Sequence, residues 1–268
     1  MKVGILGCGA IGAILSKSLD RTGEVDEIFL FDRSLEMAKK MAKKLKKGTA
    51  VENINELIDK SDMLIESASQ EAVKKFAPIV LKKKKNLFIM SVGALSDEKL
   101  MKQLESIGKK NKCKIYIPSG AVCGIDGITS ASAGKIKSVM LTTTKPVAAL
   151  KDSPYINEQG IDLDSIREPI VVFDGVAEDA VRHFPKNINV AATISLAGIG
   201  FKKTRVRIVA DPKATITRHK VMVTGDFGEL ETEVRNVICP ENPKTSYLAA
   251  LSAIATVKKI IRTVSIGT

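Results

Sequence analysis

The sequence predicts an α/β fold, a doubly wound parallel sheet followed by a second α+β unit. Three observations predict it. Over 1–118 short continuous apolar runs alternate with amphipathic stretches, a glycine-rich loop joins the first run to the first helical stretch, and beyond 119 the runs give way to alternating strands.

The continuous runs are KVGILG, DEIFLFD, GTAVE, DMLIES, NLFIMS and KIYIPS. None alternates polar with apolar residues as a half-exposed strand does, so each reads as a strand covered on both faces. Between them the spacing predicts helices over 10–20, 34–47, 53–60, 69–84 and 96–110, with Ser34 as an N-cap. Pro78 lies inside the fourth and predicts a kink or restart there, because proline lacks the N–H that the helix ladder needs.

From 119 the texture becomes small and glycine-rich, PSGAVCGIDGITSASAG, which reads as a loop entering a second domain. KSVMLTTT and EPIVVFDG are then strands, Val176 to Phe184 and INVAATISLAGIG are helices, and TRVRIVAD, ATITRHKVMVTG and GELETEVRN are strands joined by turns at Asp211–Pro212 and at Gly225 to Gly228. Their half-polar alternation predicts an antiparallel-rich sheet with one solvated or interface face. The last helix is predicted to open with Pro243 behind Asn242 and to return its apolar surface to the first domain. The domains are thus 1–118 with 240–268, and 119–239.

The chain has 268 residues, 44% of them hydrophobic, enough to fill two cores, and disorder is excluded as a description of it. Its net charge of +12 comes with runs such as KKMAKKLKK and LKKKK on helix faces and ends, and with no Trp and 3 Tyr. A nucleic-acid groove wants aromatics interleaved with its cations, so the charge reads as a lysine coat and no nucleic-acid partner is expected. Abundant lysine with Gln70, Gln103 and Gln159 as the only glutamines is also a hyperthermophile bias. Cys8, Cys113, Cys123 and Cys239 form neither a C-x-x-C pair nor a metal-ligand spacing, so no metal is expected and reduced cysteines in the cytoplasm are the default. No apolar run reaches the roughly 18 residues of a membrane span, and no membrane partner is expected.

Gly7-Cys8-Gly9-Ala10-Ile11-Gly12 fits G-x-G-x-x-G and sits between a predicted strand and a predicted helix. In the Rossmann-type fold the first glycine makes the tight turn, the second lets backbone approach a pyrophosphate, and the third allows close helix-to-strand packing, with the N–H groups of the helix start facing the anion. Asp32 ends the second strand where a carboxylate accepts the adenosine ribose hydroxyls of NAD and repels a 2′-phosphate. Arg33 follows, and a guanidinium there stacks on adenine or meets that phosphate, so NADP stays open beside NAD.

Only two histidines are present. In ITRHKVMVTG, His219 shares a face with Thr217, Val221 and Val223, the drier side of the strand. Two readings stay open at this point, an acid–base residue and a core histidine satisfied by a backbone carbonyl. His183, near a helix end, reads as a C-terminal cap or surface residue. Asn187 and Asn189 flank the start of the INVAATISLAGIG helix, as caps or as donors to a nicotinamide carboxamide or ribose.

With GCGAIG, the stretches PSGAVCGIDG, HFPKNINVAATISLAGIG, KTRVRIVADP, TGDFGE and VRNVICPENPKTSYLAALSAIATVK make the chain resemble, nearly end to end, the archaeal and bacterial L-aspartate dehydrogenase family. The resemblance implies His219 as the catalytic residue, Ala121 and Asn189 at the nicotinamide end of NAD or NADP, a homodimer whose 119–239 domain is catalytic and dimerising, and oxidation of L-aspartate to iminoaspartate. That product enters NAD biosynthesis or hydrolyses to oxaloacetate and ammonia. Two substrate carboxylates require cationic or hydroxyl partners, for which Lys145 and Lys244 are candidates, each competing with a reading as solvated surface lysine. The competing functions are a semialdehyde dehydrogenase using Cys123 as nucleophile, a cyclic-imine reductase, and a non-catalytic NAD(P) sensor that binds nucleic acid.

Overall fold

The computed structural model describes residues 1–151, 153–184, 189–240, 242–264 and 266–268, the stretch 242–244 by its backbone alone. Two compact units emerge, Met1–Pro118 with Ala250–Ser265, and Ser119–Ala249 with Ile266–Thr268.

In the first unit the strands are β1 (Lys2–Leu6), β2 (Glu27–Phe31), β3 (Gly48–Ala50), β4 (Met63–Glu66), β5 (Asn86–Ile89) and β6 (Ile115–Tyr116), paired in parallel in the order β3-β2-β1-β4-β5-β6. The order reverses between β1 and β4, and a doubly wound sheet binds its ligand at the carboxyl ends of the strands flanking that reversal. The helices are α1 (Ala10–Asp20), α2 (Leu35–Ala42), α3 (Ile54–Lys60), α4 (Gln70–Lys82) and α5 (Glu98–Asn111). Four of the five have a capping side chain, with Ser34, Asn53, Ser69 and Asp97 accepting from N–H groups two or three residues on. Helix α2 stops five residues short of the expected 47. The Asp20 carboxylate accepts from Lys46 N at 3.1 Å and Lys47 N at 2.8 Å, and these bonds turn the chain out of the helix. No restart occurs at Pro78, because α4 buries Val73, Ala77, Val80 and Leu81 continuously and runs through it.

The first core joins Val3, Ile5, Ile28, Leu30, Ile65 and Phe88 of the sheet to Leu15 and Leu19 of α1, and Ala253 and Val257 of the last helix pack into it.

The second unit runs α6 (Ile125–Ala131), β7 (Ile136–Pro146), α7 (Pro154–Glu158), β8 (Ile170–Val176), α8 (Ala177–His183), α9 (Asn189–Ala197), β9 (Arg205–Asp211), β10 (Thr217–Gly225), β11 (Gly228–Asn236), β12 (Ile238–Cys239) and β13 (Asn242–Ser246); the last helix, α10 (Tyr247–Ile261), belongs to the first unit from Ala250 onward. Its sheet has the order β11-β10-β7-β9-β8; only β7 with β9 is parallel, a pairing reached through the crossover that contains α8 and α9. One face is apolar along most of its length. Val139, Leu141, Val206, Ile208, Val221 and Val223 are buried there with Ile128 of α6, Ala177 and Ala180 of α8, and Ala191 and Ile194 of α9.

The last helix begins at Tyr247 rather than at Pro243. Asn242–Ser246 is a strand instead, paired antiparallel with Ile238–Cys239, and Tyr247 N donates to Val237 O at 3.0 Å. That hairpin keeps 240–249 with the second unit, ten residues beyond the boundary expected from the pattern.

Candidate active site

The glycine loop of the first unit shows a different demand at each glycine. Gly7 has φ +99°, and a Cβ there would stand 2.8 Å from the Cβ of Ala68. A Cβ on Gly12 would stand 2.1 Å from the carbonyl oxygen of Gly7. Both therefore serve the packing of turn and helix. Gly9 has no atom within 4 Å of the place a Cβ would take, and it precedes α1 with no side-chain cap on the helix start and no acid in the first turn. That open backbone, with Ala10 and Ile11 opening the helix behind it, is a cradle for an anion.

The loop is held from two sides. On the β2 side, Asp32 accepts from Cys8 N through Oδ2 at 2.8 Å and from Ser34 N through Oδ1 at 2.9 Å. On the β4 side, Ser67 Oγ donates to Gly7 O at 2.9 Å. Each carboxylate oxygen of Asp32 keeps a second lone pair for a ribose hydroxyl. Arg33 beside it is exposed. The Cys8 thiol, pushed up to about 12 by burial and then by the Asp32 charge, stays protonated at pH 7.

Glu66, which the sequence reading passed over, is buried at the end of β4. Its Oε1 accepts from Ala68 N at 2.8 Å, Ser69 N at 2.9 Å and Ser91 Oγ at 2.9 Å, and its Oε2 from Ser91 N at 3.0 Å. Burial raises its carboxyl above the ordinary range against the pull of those bonds. It ties the ends of β4 and β5 together and sets Ala68 against Gly7. The available signal was a single acid closing the apolar run MLIE.

In the second unit the apolar face of the sheet turns polar at one end. His219 of β10 stands opposite Thr143 of β7, and His219 Nδ1 lies 3.0 Å from Thr143 Oγ1. Lys145, two residues along β7, is on the same face. All three are buried, His219 to 5% exposure and Lys145 to 8%. On β11, Asn236 stands opposite Thr217, which shares the His219 face of β10. The pattern that buries Val221 and Leu141 is thus replaced, over two rows, by polar side chains.

Electrostatics follow from that burial. His219 is pushed from 6.5 down to about 4, first by desolvation and then by the charge of Lys145, so the imidazole is neutral at pH 7. Desolvation lowers Lys145 from 10.5 to about 8. Since Thr143 engages Nδ1, a ligand that reaches the ring meets it at Nε2.

The loop after β6 lies against β11. Asn236 Nδ2 donates to Ala121 O at 3.0 Å and Thr232 Oγ1 to Cys123 O at 3.3 Å. Ala121 is buried, and Asn189 is the exposed first residue of α9. Lys244 falls in β13, with its side chain outside the described residues, and Asn187 lies outside them altogether. His183 is the last residue of α8, the helix end that its position suggested, but it is not a surface residue. Half-buried, it packs on Tyr155 at 4.5 Å between ring centroids, beside Phe173 and Phe184. Cys123 is exposed, and none of the four cysteines forms a disulfide. Among the described residues no group of acids, histidines and cysteines could hold a metal ion, and no helix is long and apolar enough to cross a membrane.

Two family models match the chain, the homoserine dehydrogenase NAD binding domain over residues 7–118 and the aspartate dehydrogenase C-terminal domain over residues 126–260. The L-aspartate dehydrogenases of Methanosarcina mazei and Methanococcoides burtonii are 50% and 46% identical to it, with 100% of both chains covered in each case. The chain belongs to the L-aspartate dehydrogenase family. A crystal structure of aspartate dehydrogenase from Thermotoga maritima, 30% identical, matches with a TM-score of 0.78 over 100% of this chain and 99% of that one. A homoserine dehydrogenase from Thiobacillus denitrificans, 13% identical with a TM-score of 0.63 over 98% of this chain and 73% of its own, shares the fold alone. As a member of the L-aspartate dehydrogenase family the chain is an oxidoreductase with a nicotinamide nucleotide as cofactor, and the open backbone at Gly9 with the Asp32 carboxylate beyond it fits that group.

Proposed function

We propose that this chain oxidises L-aspartate to iminoaspartate with His219 as the acid–base residue. The observation that carries the reading is the buried set His219, Thr143 and Lys145 at the one polar end of an otherwise apolar sheet face. Burying an imidazole close to an ammonium is costly, and a ligand carboxylate drawn to that cation offsets part of the cost. A dicarboxylic amino acid does so, because one carboxylate pairs with Lys145 while the amine reaches Nε2.

A nicotinamide nucleotide bound here would supply the acceptor for the hydride on Cα of the substrate. His219 accepts the amine proton, and Thr143 holds the ring for that transfer. Desolvation and then the charge of Lys145 depress the basicity of His219, and pairing Lys145 with a substrate carboxylate removes the second of these when substrate is in place. His219 then returns that proton to the imine nitrogen and, neutral again, serves as base for a water that attacks the imine carbon on the way to oxaloacetate and ammonia. Gly9, Ala10 and Ile11 would hold the pyrophosphate in the turn that Gly7 and Gly12 allow, Asp32 and Arg33 the adenosine end, and Ala121 and Asn189 the nicotinamide end, with Lys244 as a second carboxylate partner.

Further parts of the reading are a homodimer, a cytoplasmic setting, a thermophilic source, use of NADP as well as NAD, and delivery of iminoaspartate to pyridine nucleotide biosynthesis. The sheet face opposite the core supports the dimer, since Met140, Thr142, Lys220 and Met222 are only partly exposed there. Cysteines that form no disulfide are in keeping with a reducing compartment.

Turnover of nucleotide with L-aspartate, and none with homoserine or dihydrodipicolinate, is the expected result of a steady-state assay; homoserine or dihydrodipicolinate turned over in place of aspartate would overturn the reading. Asp32→Ala is expected to weaken NAD more than NADP, by roughly tenfold for the lost ribose contact, because it also removes a charge that repels the 2′-phosphate. Equal losses in fluorescence titrations with the two reduced nucleotides would mean that Asp32 acts only by holding Cys8 N and Ser34 N.

A further inference from the structure

Asn236 closes β11 at 3% exposure, and its amide is used on one side only. Nδ2 donates to Ala121 O at 3.0 Å, while Oδ1 is buried with no hydrogen-bond partner among the described residues. The orientation is not interchangeable, since turning the amide over would set two oxygens against each other. An amide oxygen buried without a donor costs about 1–3 kcal/mol, and folded proteins seldom leave one unless something else meets it.

The surroundings say what meets it. Asn236 stands opposite Thr217 on the face that carries His219, and His219 stands opposite Val234, two residues back along β11. Lys145 gives this end of the sheet a cation and His219 a proton acceptor. Asn236 Oδ1 is an acceptor with no donor of its own, so it repels a carboxylate and suits an N–H group.

We propose that Asn236 Oδ1 accepts a hydrogen bond from the substrate's amino group and thereby selects an amino acid over the corresponding amine-free dicarboxylate. The inference rests on the reading of His219 and Lys145 as the aspartate site. An amine held by one N–H on Asn236 presents another to His219 Nε2, and after oxidation the remaining imine N–H keeps the same acceptor. The bond of Nδ2 to Ala121 O fixes where the oxygen stands, so the loop after β6 and the substrate nitrogen share one residue.

The test compares Asn236→Ala with the unaltered protein on four quantities: KM for L-aspartate, the inhibition constant of succinate, the dissociation constant of NADH and the thermal midpoint. The expected result is at least a tenfold rise in KM for aspartate, with succinate and NADH each within twofold. Equal losses for aspartate and succinate would reduce Asn236 to a support for the loop, and a loss confined to NADH would assign the oxygen to the cofactor; either overturns the proposal. Should Asn236→Ala fail to fold, the side-chain amide resonance of Asn236 in the unaltered protein is expected to shift with aspartate and not with succinate, and the same shift with both overturns it. An unaltered protein inactive with aspartate would fail the underlying reading, whereas an active one with an insensitive Asn236 fails this inference alone.

Discussion

His219→Ala is expected to lower aspartate turnover by roughly 10²-fold or more, the usual contribution of a positioned acid–base group, with NADH affinity unchanged. The ring is held by the β10 backbone and by Thr143 Oγ1, so its removal deletes a proton acceptor without loosening the glycine loop of the other unit. A second signature comes from its titration. His219 titrates at 6.5 when unfolded and about 4 when folded, so the unfolded chain takes up the proton first as pH falls. Stability is therefore full above pH 6.5 and is lost between pH 6.5 and about 4, by about 3 kcal/mol from this residue. The alanine variant should show a flatter thermal midpoint across that window. A variant that melts early yet keeps the kcat of the unaltered protein with aspartate would make His219 a core residue satisfied by Thr143 and nothing more.

Why His219 was ambiguous in the sequence, and the glycine loop was not, is a matter of range. Gly7, Gly9 and Gly12 act within one turn, between a strand and a helix adjacent in sequence, so their spacing carries their geometry. Asp32 was legible for the same reason, at the end of the next strand. The catalytic candidates meet across β7 and β10, 76 residues apart in the Thr143–His219 bond, and no local pattern marks that register. The alternation placed His219 on the dry face, whereas Lys145 read equally well as a solvated surface lysine and Thr143 was not singled out, and only the pairing of β7 with β10 shows that these departures from apolar patterning coincide. Asn236 was hidden further, because its partner Ala121 is 115 residues away in a loop. The start of the last helix was misjudged by a local rule applied correctly: proline does favour a first helical turn, but the β12–β13 hairpin takes the segment first.

Gly9→Val is expected to abolish useful nucleotide binding while leaving the fold intact, and the three glycines of one loop supply the contrast. At Gly12 any side chain collides with Gly7 O at 2.1 Å, and at Gly7 the φ of +99° is closed to valine, so substitutions there destabilise the protein and report on folding. Gly9 has φ −73° and ψ −167°, extended backbone that a β-branched residue adopts readily, and no atom lies within 4 Å of its Cβ. We read its missing side chain as room for a ligand, because the open volume lies at the start of α1, where a pyrophosphate would meet backbone N–H groups. Valine fills that volume and imposes an overpacking cost on the ligand alone, which raises the dissociation constant for NADH by roughly 10²-fold. Calorimetric titration beside a thermal melt separates the outcomes. A folded Gly9→Val protein that binds NADH with unchanged affinity would remove the pyrophosphate from this loop, and the cofactor would have to reach the first unit by another route than its helix start.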